Sequence, residues 1–300
     1  MERTDICCIG HITLDKVVTP RDTVYMAGGT AFYFSNAVSR LDVSYRLITA
    51  LAADGMPAVE KLRAAGVAVT VLPSAHTVYF ENIYGDDQDH RKQRVLQTAD
   101  PFAERQLADA QARIFHLGPL LAGDMPVGLI RMLAGKGRIS VDAQGYLREV
   151  VAQEVRAVDW LEKKAALQYI DILKSNEAEM TVLTGQTGIR QGARMLADWG
   201  VKEVVITLGS QGSVIYADQR FHDIPAYVPN TTVVDATGCG DTYMAGYLYQ
   251  RSKGMPVQGA GEFGAAMATL KIEASGPFTG TREQVQALLA SRRATAFVCR

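Results

Sequence analysis

The run Asp235-Ala236-Thr237-Gly238-Cys239-Gly240-Asp241 places a carboxylate at the mouth of a turn made of small residues. Successive backbone N–H groups in such a turn point into one concavity, and a helix that starts there adds the positive end of its dipole. The following residues, Thr242 to Gln250, are largely apolar and predict a buried helix. Together these features suit an anion, most often phosphate. A carboxylate beside a bound phosphate repels it, so Asp241 makes better sense as a base. It could take a proton from a hydroxyl while Gly238, Cys239 and Gly240 hold the phosphoryl group which that hydroxyl attacks. The structural alternative is an ordinary loop with Asp241 as a helix cap.

Three further groupings carry possible chemistry. Asn176-Glu177-Ala178-Glu179 opens a predicted helix, and its spacing fits a capping box. Glu179 could equally hold Mg²⁺ through water, since that ion prefers carboxylate oxygens and keeps several waters. Thr207-Leu208-Gly209-Ser210-Gln211-Gly212 joins two strand-like runs, and its glycines would allow a nucleotide to approach the backbone. Gly28-Gly29-Thr30 precedes an apolar helix, with Asp15 nearby in an apolar setting; a carboxylate can accept two hydrogen bonds from a vicinal diol. A solvated turn residue is the plainer reading of Asp15. The P-loop pattern is absent, and Gly10 is not followed by the further glycines of a dinucleotide turn.

Short β-rich runs must position these residues: 5–9, 45–50, 113–117, 138–142, 170–174, 203–208 and 213–217. Helical patterns lie near 30–41, 56–65, 125–134, 177–184, 191–199 and 256–273. Apolar strands alternating with helices predict a mostly parallel sheet covered on both faces. Segments of about 15–27 and 76–96 break the alternation; the second reads as a hairpin with the polar tip Gly85-Asp86-Asp87-Gln88-Asp89 and a basic return arm from Arg91 to Arg94. Neither buries a face alone, so together they predict a small sheet hinged over the strand ends as a lid. No linker splits residues 1–300, which read as one domain.

Apolar residues make up 48% of the chain and charged residues 21%, enough for a substantial core, and the net charge of −1 excludes a globally basic nucleic-acid binder. Four cysteines (7, 8, 239, 299) form no CxxC pair and five histidines (11, 76, 90, 116, 222) lack metal-ligand spacing, so neither a disulfide framework nor a zinc site is expected. The acidic start, Met1 to Asp5, leads straight into a strand-like run, and no apolar stretch could span a bilayer, so a cytoplasmic location without a leader or a membrane is expected.

Gly28-Gly29, Asn176-x-x-Glu179, Thr207-Leu208-Gly209-x-x-Gly212 and Asp235-x-Thr237-Gly238-x-Gly240-Asp241 resemble, in order and spacing, the ribokinase-like (PfkB) carbohydrate kinases nearly end to end. The resemblance implies a doubly wound α/β core with a β-sheet lid, using ATP and Mg²⁺ to phosphorylate an alcohol. It implies Asp241 as base, Gly238, Cys239 and Gly240 as anion hole, and Asn176 with Glu179 at the Mg²⁺ water shell. Thr207, Gly209, Ser210, Gly212 and Thr237 would line the nucleotide, with Ala268 to Ser275 as part of the adenine wall, and Asp235 with Thr237 falls where relatives carry a monovalent cation such as K⁺. On the acceptor side it implies Gly28 and Gly29, beside which Asp15 stands as the hydroxyl acceptor, while Gln144 follows a strand end, where α/β ligands bind; Tyr33 stands where ribokinases carry an asparagine and Thr30 where they carry lysine. Asn36, one helical turn beyond Tyr33, either reaches the same pocket or packs. These departures argue against ribose, and the segments 10–15, 79–82 and 142–148 look closer to inositol-kinase-like members, which makes an uncharged sugar or cyclic polyol the leading acceptor, with a nucleoside kinase or a non-catalytic binding relative as alternatives. The open lid edge implies a homodimer.

Overall fold

In the computed structural model the described residues are 3–20, 22–84 and 91–291; the expected hairpin tip 85–89, His90 and Cys299 lie outside them. A nine-stranded sheet runs in the order Arg220–Ile224, Ser213–Ala217, Glu203–Thr207, Ile172–Asn176, Arg138–Asp142, Ala112–Gly118, Thr4–Gly10, Tyr45–Leu51, Ala68–Pro73. All neighbouring pairs are parallel except those made by Ser213–Ala217. The strands are apolar on both sides because both sides are covered. Cys7 and Cys8 show this directly: they are buried in hydrophobic clusters on opposite faces, as strand alternation requires. One cluster takes in the helices Thr30–Val38, Cys239–Ser252 and Val257–Ile272, and the other Val127–Ala134, Glu177–Thr184 and Ile189–Asp198.

A second sheet of six strands has the order Arg148–Val151, Glu154–Ala157, Arg91–Gln97, Val78–Tyr84, Thr13–Val18, Thr23–Gly28. The two predicted segments meet here through parallel pairing of Thr13–Val18 with Val78–Tyr84. A third piece, the hairpin of Arg148–Val151 and Glu154–Ala157, was not expected. The sheet has its own small core, in which Val78, Phe80 and Val95 pack on Leu120 and Leu121 from the loop after Ala112–Gly118. No helix among the described residues is long and apolar enough to cross a membrane.

The chain passes from the end of Thr4–Gly10 through His11 and Ile12 into the second sheet, and Arg138–Asp142 and Ile172–Asn176 end on the same side. A crevice therefore forms between the carboxyl ends of the parallel strands and the second sheet, where ligands of open α/β sheets bind.

Candidate active site

A cleft of about 280 Å³ occupies that crevice, and Asp241 lines it. The helix Cys239–Ser252 begins directly after Gly238, whose φ of 76° only glycine adopts readily. A Cβ there would also overlap the ring of Tyr33, so the turn rests on an aromatic floor. Asp241 lies in the first helical turn and its carboxylate accepts a hydrogen bond from Thr30, the first residue of Thr30–Val38. Cys239 N–H is engaged within the turn by Ala236 O at 3.1 Å, and its Sγ approaches Ala268 O at 3.7 Å, away from the cleft. The Cys239 N–H is thus paired inside the turn, while Gly240 and Asp241 stand in the first turn of the helix, where N–H groups have no intrahelical acceptor.

Beneath the turn sits a buried ion pair that the motifs did not announce. Lys174 Nζ donates to Asp142 Oδ2 at 3.0 Å, with both side chains under a tenth exposed. A Cβ on Gly240 would stand 3.1 Å from that ammonium, so Lys174 lies directly against the turn. Burial alone would lower the lysine pKa, but Asp142, Glu179 and Asp241 outweigh it and hold the ammonium firmly protonated. The same crowding acts in reverse on Asp241. Burial, then the Asp142 charge, push its pKa up to about 6, against the pull of Lys174 and Thr30. A carboxylate raised this far is still mostly ionised at pH 7 and holds a proton more strongly than a free aspartate.

Asn176 and Glu179 form the reciprocal capping box at the start of Glu177–Thr184, each 2.8 Å from the other's backbone N–H. The structural reading of the motif is thus realised, and it fixes the rotamer of Glu179. The second oxygen of Glu179 lies 3.4 Å from Gln144 Nε2, and burial raises the carboxyl's pKa. Such an oxygen, held beside Lys174 and Asp142, fits the outer water shell of Mg²⁺ rather than a direct ligand set. Among the described residues no cluster of three or more His, Cys, Asp or Glu side chains could hold a metal ion.

On the far wall, Thr13 donates to Asp15 Oδ1 at 2.6 Å. Gly28, opposite Thr13 in the strand register, is required because any Cβ there would collide with the Asp15 carboxylate. Gly29, Tyr33 and Gln144 also line the cleft, as does Thr237. Sequence reasoning missed Thr13, Gln93, Arg148 and Lys174, which share it. A lysine directly after Ile172 and Leu173, in a strand whose residues 172–175 are all buried, was the available signal. Asn36 does not reach the cleft; its Nδ2 bonds Phe32 O at 2.8 Å within its own helix.

The proposed nucleotide residues lie further along the strand ends. Thr207 closes Glu203–Thr207 and approaches Ser175 O at 3.4 Å. Gly209 and the exposed Ser210 face open space, whereas Gly212 is pressed against Ile224 O. Ala268 and Ser275 flank the end of Val257–Ile272, next to the exposed Val233 and Val234, the latter joined to Ile272 O at 2.8 Å. Asp235 departs from expectation as a ligand for a monovalent cation. Its Oδ2 faces the fully buried ammonium of Lys271 at 3.3 Å, and its backbone carbonyl accepts from the same group at 2.8 Å.

Comparison with known proteins matches residues 3–284 to the model of the pfkB family carbohydrate kinases. The chain is 28% identical to the cytidine kinase of Thermococcus kodakarensis over 263 residues, covering 85% of this chain and 91% of that protein. It superposes with a TM-score of 0.84 on a pyrophosphate-dependent kinase of the ribokinase family, solved with a pyrophosphate analogue and myo-inositol, at 30% identity over 94% of this chain and 99% of that one. The ribokinase of Arabidopsis thaliana, solved with ribose and ATP, shares the fold at 21% identity, covering 96% of this chain and 99% of that one with a TM-score of 0.78.

Proposed function

Because the chain belongs to the PfkB family of carbohydrate kinases, and is a phosphotransferase of the sugar and nucleoside kinase type with a ribokinase fold, we propose that it transfers the γ-phosphoryl group of ATP to a hydroxyl of a small, uncharged sugar or cyclic polyol. One observation carries this reading: a carboxylate with a pKa near 6, on the first turn of a helix, shares a cleft with a second carboxylate across from it. Asp241 takes the hydroxyl proton; the alcohol oxygen forms a bond to the γ-phosphorus as the bridging bond to ADP breaks, and ADP leaves with the electron pair. The N–H groups of Gly238, Gly240 and Asp241, with the Lys174 ammonium, face the charge on the phosphoryl oxygens. Mg²⁺, when bound with the nucleotide, supplies further neutralisation of its phosphates, with Glu179 accepting from the ion's waters. Asp15 and Gln144 hold the acceptor hydroxyls, and the second sheet acts as the lid that excludes water.

The cleft volume favours the small acceptor. About 280 Å³ falls just below the usual range for ligand cavities, roughly 300–1,000 Å³, and suits a single ring better than a nucleoside. The cytidine kinase relative keeps the nucleoside reading as the runner-up. Pyrophosphate is the alternative donor, favoured by the similarity to the pyrophosphate-dependent kinase. The exposed pair Val233 and Val234 beside Ala268 to Ser275 instead offers an apolar wall to an adenine. A coupled assay with phosphorus NMR readout tests both choices, pairing ATP or pyrophosphate with myo-inositol, other cyclic polyols, ribose, fructose, cytidine and adenosine. Turnover of a polyol or sugar is the expected result. Turnover of a nucleoside alone would replace the acceptor, and no turnover with any pair would favour a binding protein.

A further inference from the structure

Lys271 stands at the end of Val257–Ile272, and its side chain is fully buried. Its ammonium meets Asp235 O at 2.8 Å, Asp235 Oδ2 at 3.3 Å and Ala274 O at 3.4 Å. The other carboxylate oxygen of Asp235 accepts the Thr237 N–H at 2.8 Å. A single positive charge thus ties the loop before the catalytic turn to the loop after the helix, and it does so through oxygen atoms only. Those are the ligands a K⁺ ion would need at the place where the family resemblance implies one, and an ammonium brings the same charge with three donors.

We infer that Lys271 is a built-in monovalent cation: its ammonium fills that position, orders the turn leading to Gly238, and leaves the enzyme independent of K⁺. The inference extends the kinase reading, but its main test needs no turnover. Thermal unfolding of the native chain is compared in KCl and in choline chloride at equal ionic strength, about 0.1 M, so that general screening cancels. The native Tm is expected to be the same in both salts. Lys271→Met, which keeps the stem and removes the charge, is expected to melt several degrees lower in choline and to recover part of that loss in KCl. With whichever donor and acceptor pair the assay above finds active, native turnover is expected to ignore K⁺, while Lys271→Met regains activity several-fold on its addition. A native Tm or native turnover that rises specifically with K⁺ overturns the inference, as does a folded Lys271→Met indifferent to K⁺. Should the variant not fold, the native comparison decides alone. Absence of turnover on every acceptor would sink the kinase reading while leaving the melting comparison intact.

Discussion

Lys174 Nζ and Asp142 Oδ2 lie 3.0 Å apart at the buried ends of two neighbouring parallel strands, and the ammonium abuts the turn that carries Asp241. One cation here answers three carboxylates, Asp142, Glu179 and Asp241. Removing it leaves buried negative charge uncompensated, which costs about 3–5 kcal/mol for pairs of this kind. Lys174→Met should therefore lower the urea midpoint strongly and abolish most turnover. Asp142→Asn combined with Lys174→Met should be less destabilised than Lys174→Met alone, because the stranded charge is gone. Additive losses in the double variant would mean the pair is not the interaction holding the site.

Asp241 predicts a pH profile. Its pKa of about 6 is above the ordinary carboxylate value because burial and Asp142 penalise ionisation. The base must be ionised to work, so kcat/KM should rise with pH through about 6 and flatten above it. Stability runs the other way. The native state holds this proton more tightly than the unfolded chain does, so between about pH 4 and 6 ionisation of Asp241 progressively weakens the fold. Asp241→Asn should thus melt higher than the native protein at neutral pH, by on the order of 2 kcal/mol, while kcat drops about 10²–10⁴-fold. A variant that loses activity and also loses stability would argue for a structural carboxylate.

The elements and the catalytic motif were legible because both are local. Apolar runs such as Cys7-Cys8-Ile9 announce a strand covered on both faces, and the spacing from Asp235 to Asp241 announces a turn before a helix. The hairpin of Arg148–Val151 and Glu154–Ala157 gave no such sign. Its strands are half charged, and its turn places Ala152 and Gln153 at φ of 50° and 68°, where glycine or asparagine is the usual marker. Lys174 with Asp142, and Lys271 with Asp235, lie 32 and 36 residues apart in sequence and meet only through the fold. No periodicity encodes such a meeting, so the charge balance of the site had to come from coordinates.

Tyr33 and Gly238 form a second dependency. The ring lies where a Cβ on residue 238 would sit, and φ of 76° adds strain for any other residue. Gly238→Ala should cost about 1–3 kcal/mol from the backbone alone, plus displacement of the ring, and should slow turnover by tilting the N–H groups. In a Tyr33→Ala background the same change should be milder, since only the backbone term remains. A double-mutant cycle in thermal unfolding measures the difference, and simple additivity would show that ring and turn do not press on each other.

The edge of the second sheet predicts an oligomer. Thr23–Gly28 pairs with Thr13–Val18 on one side and is the terminal strand of its sheet, with Val24 48% and Tyr25 68% exposed. An open edge with large apolar side chains invites another strand, and the edge of a second copy is the partner always at hand. Light scattering at micromolar concentration should therefore return twice the mass of the chain. Tyr25→Glu, which puts a charge on each side of the shared edge, should return a single mass without a change in Tm beyond loss of the contact. A native protein that stays monomeric well above that concentration removes the proposal, and a dimer that survives Tyr25→Glu places the contact on some other surface.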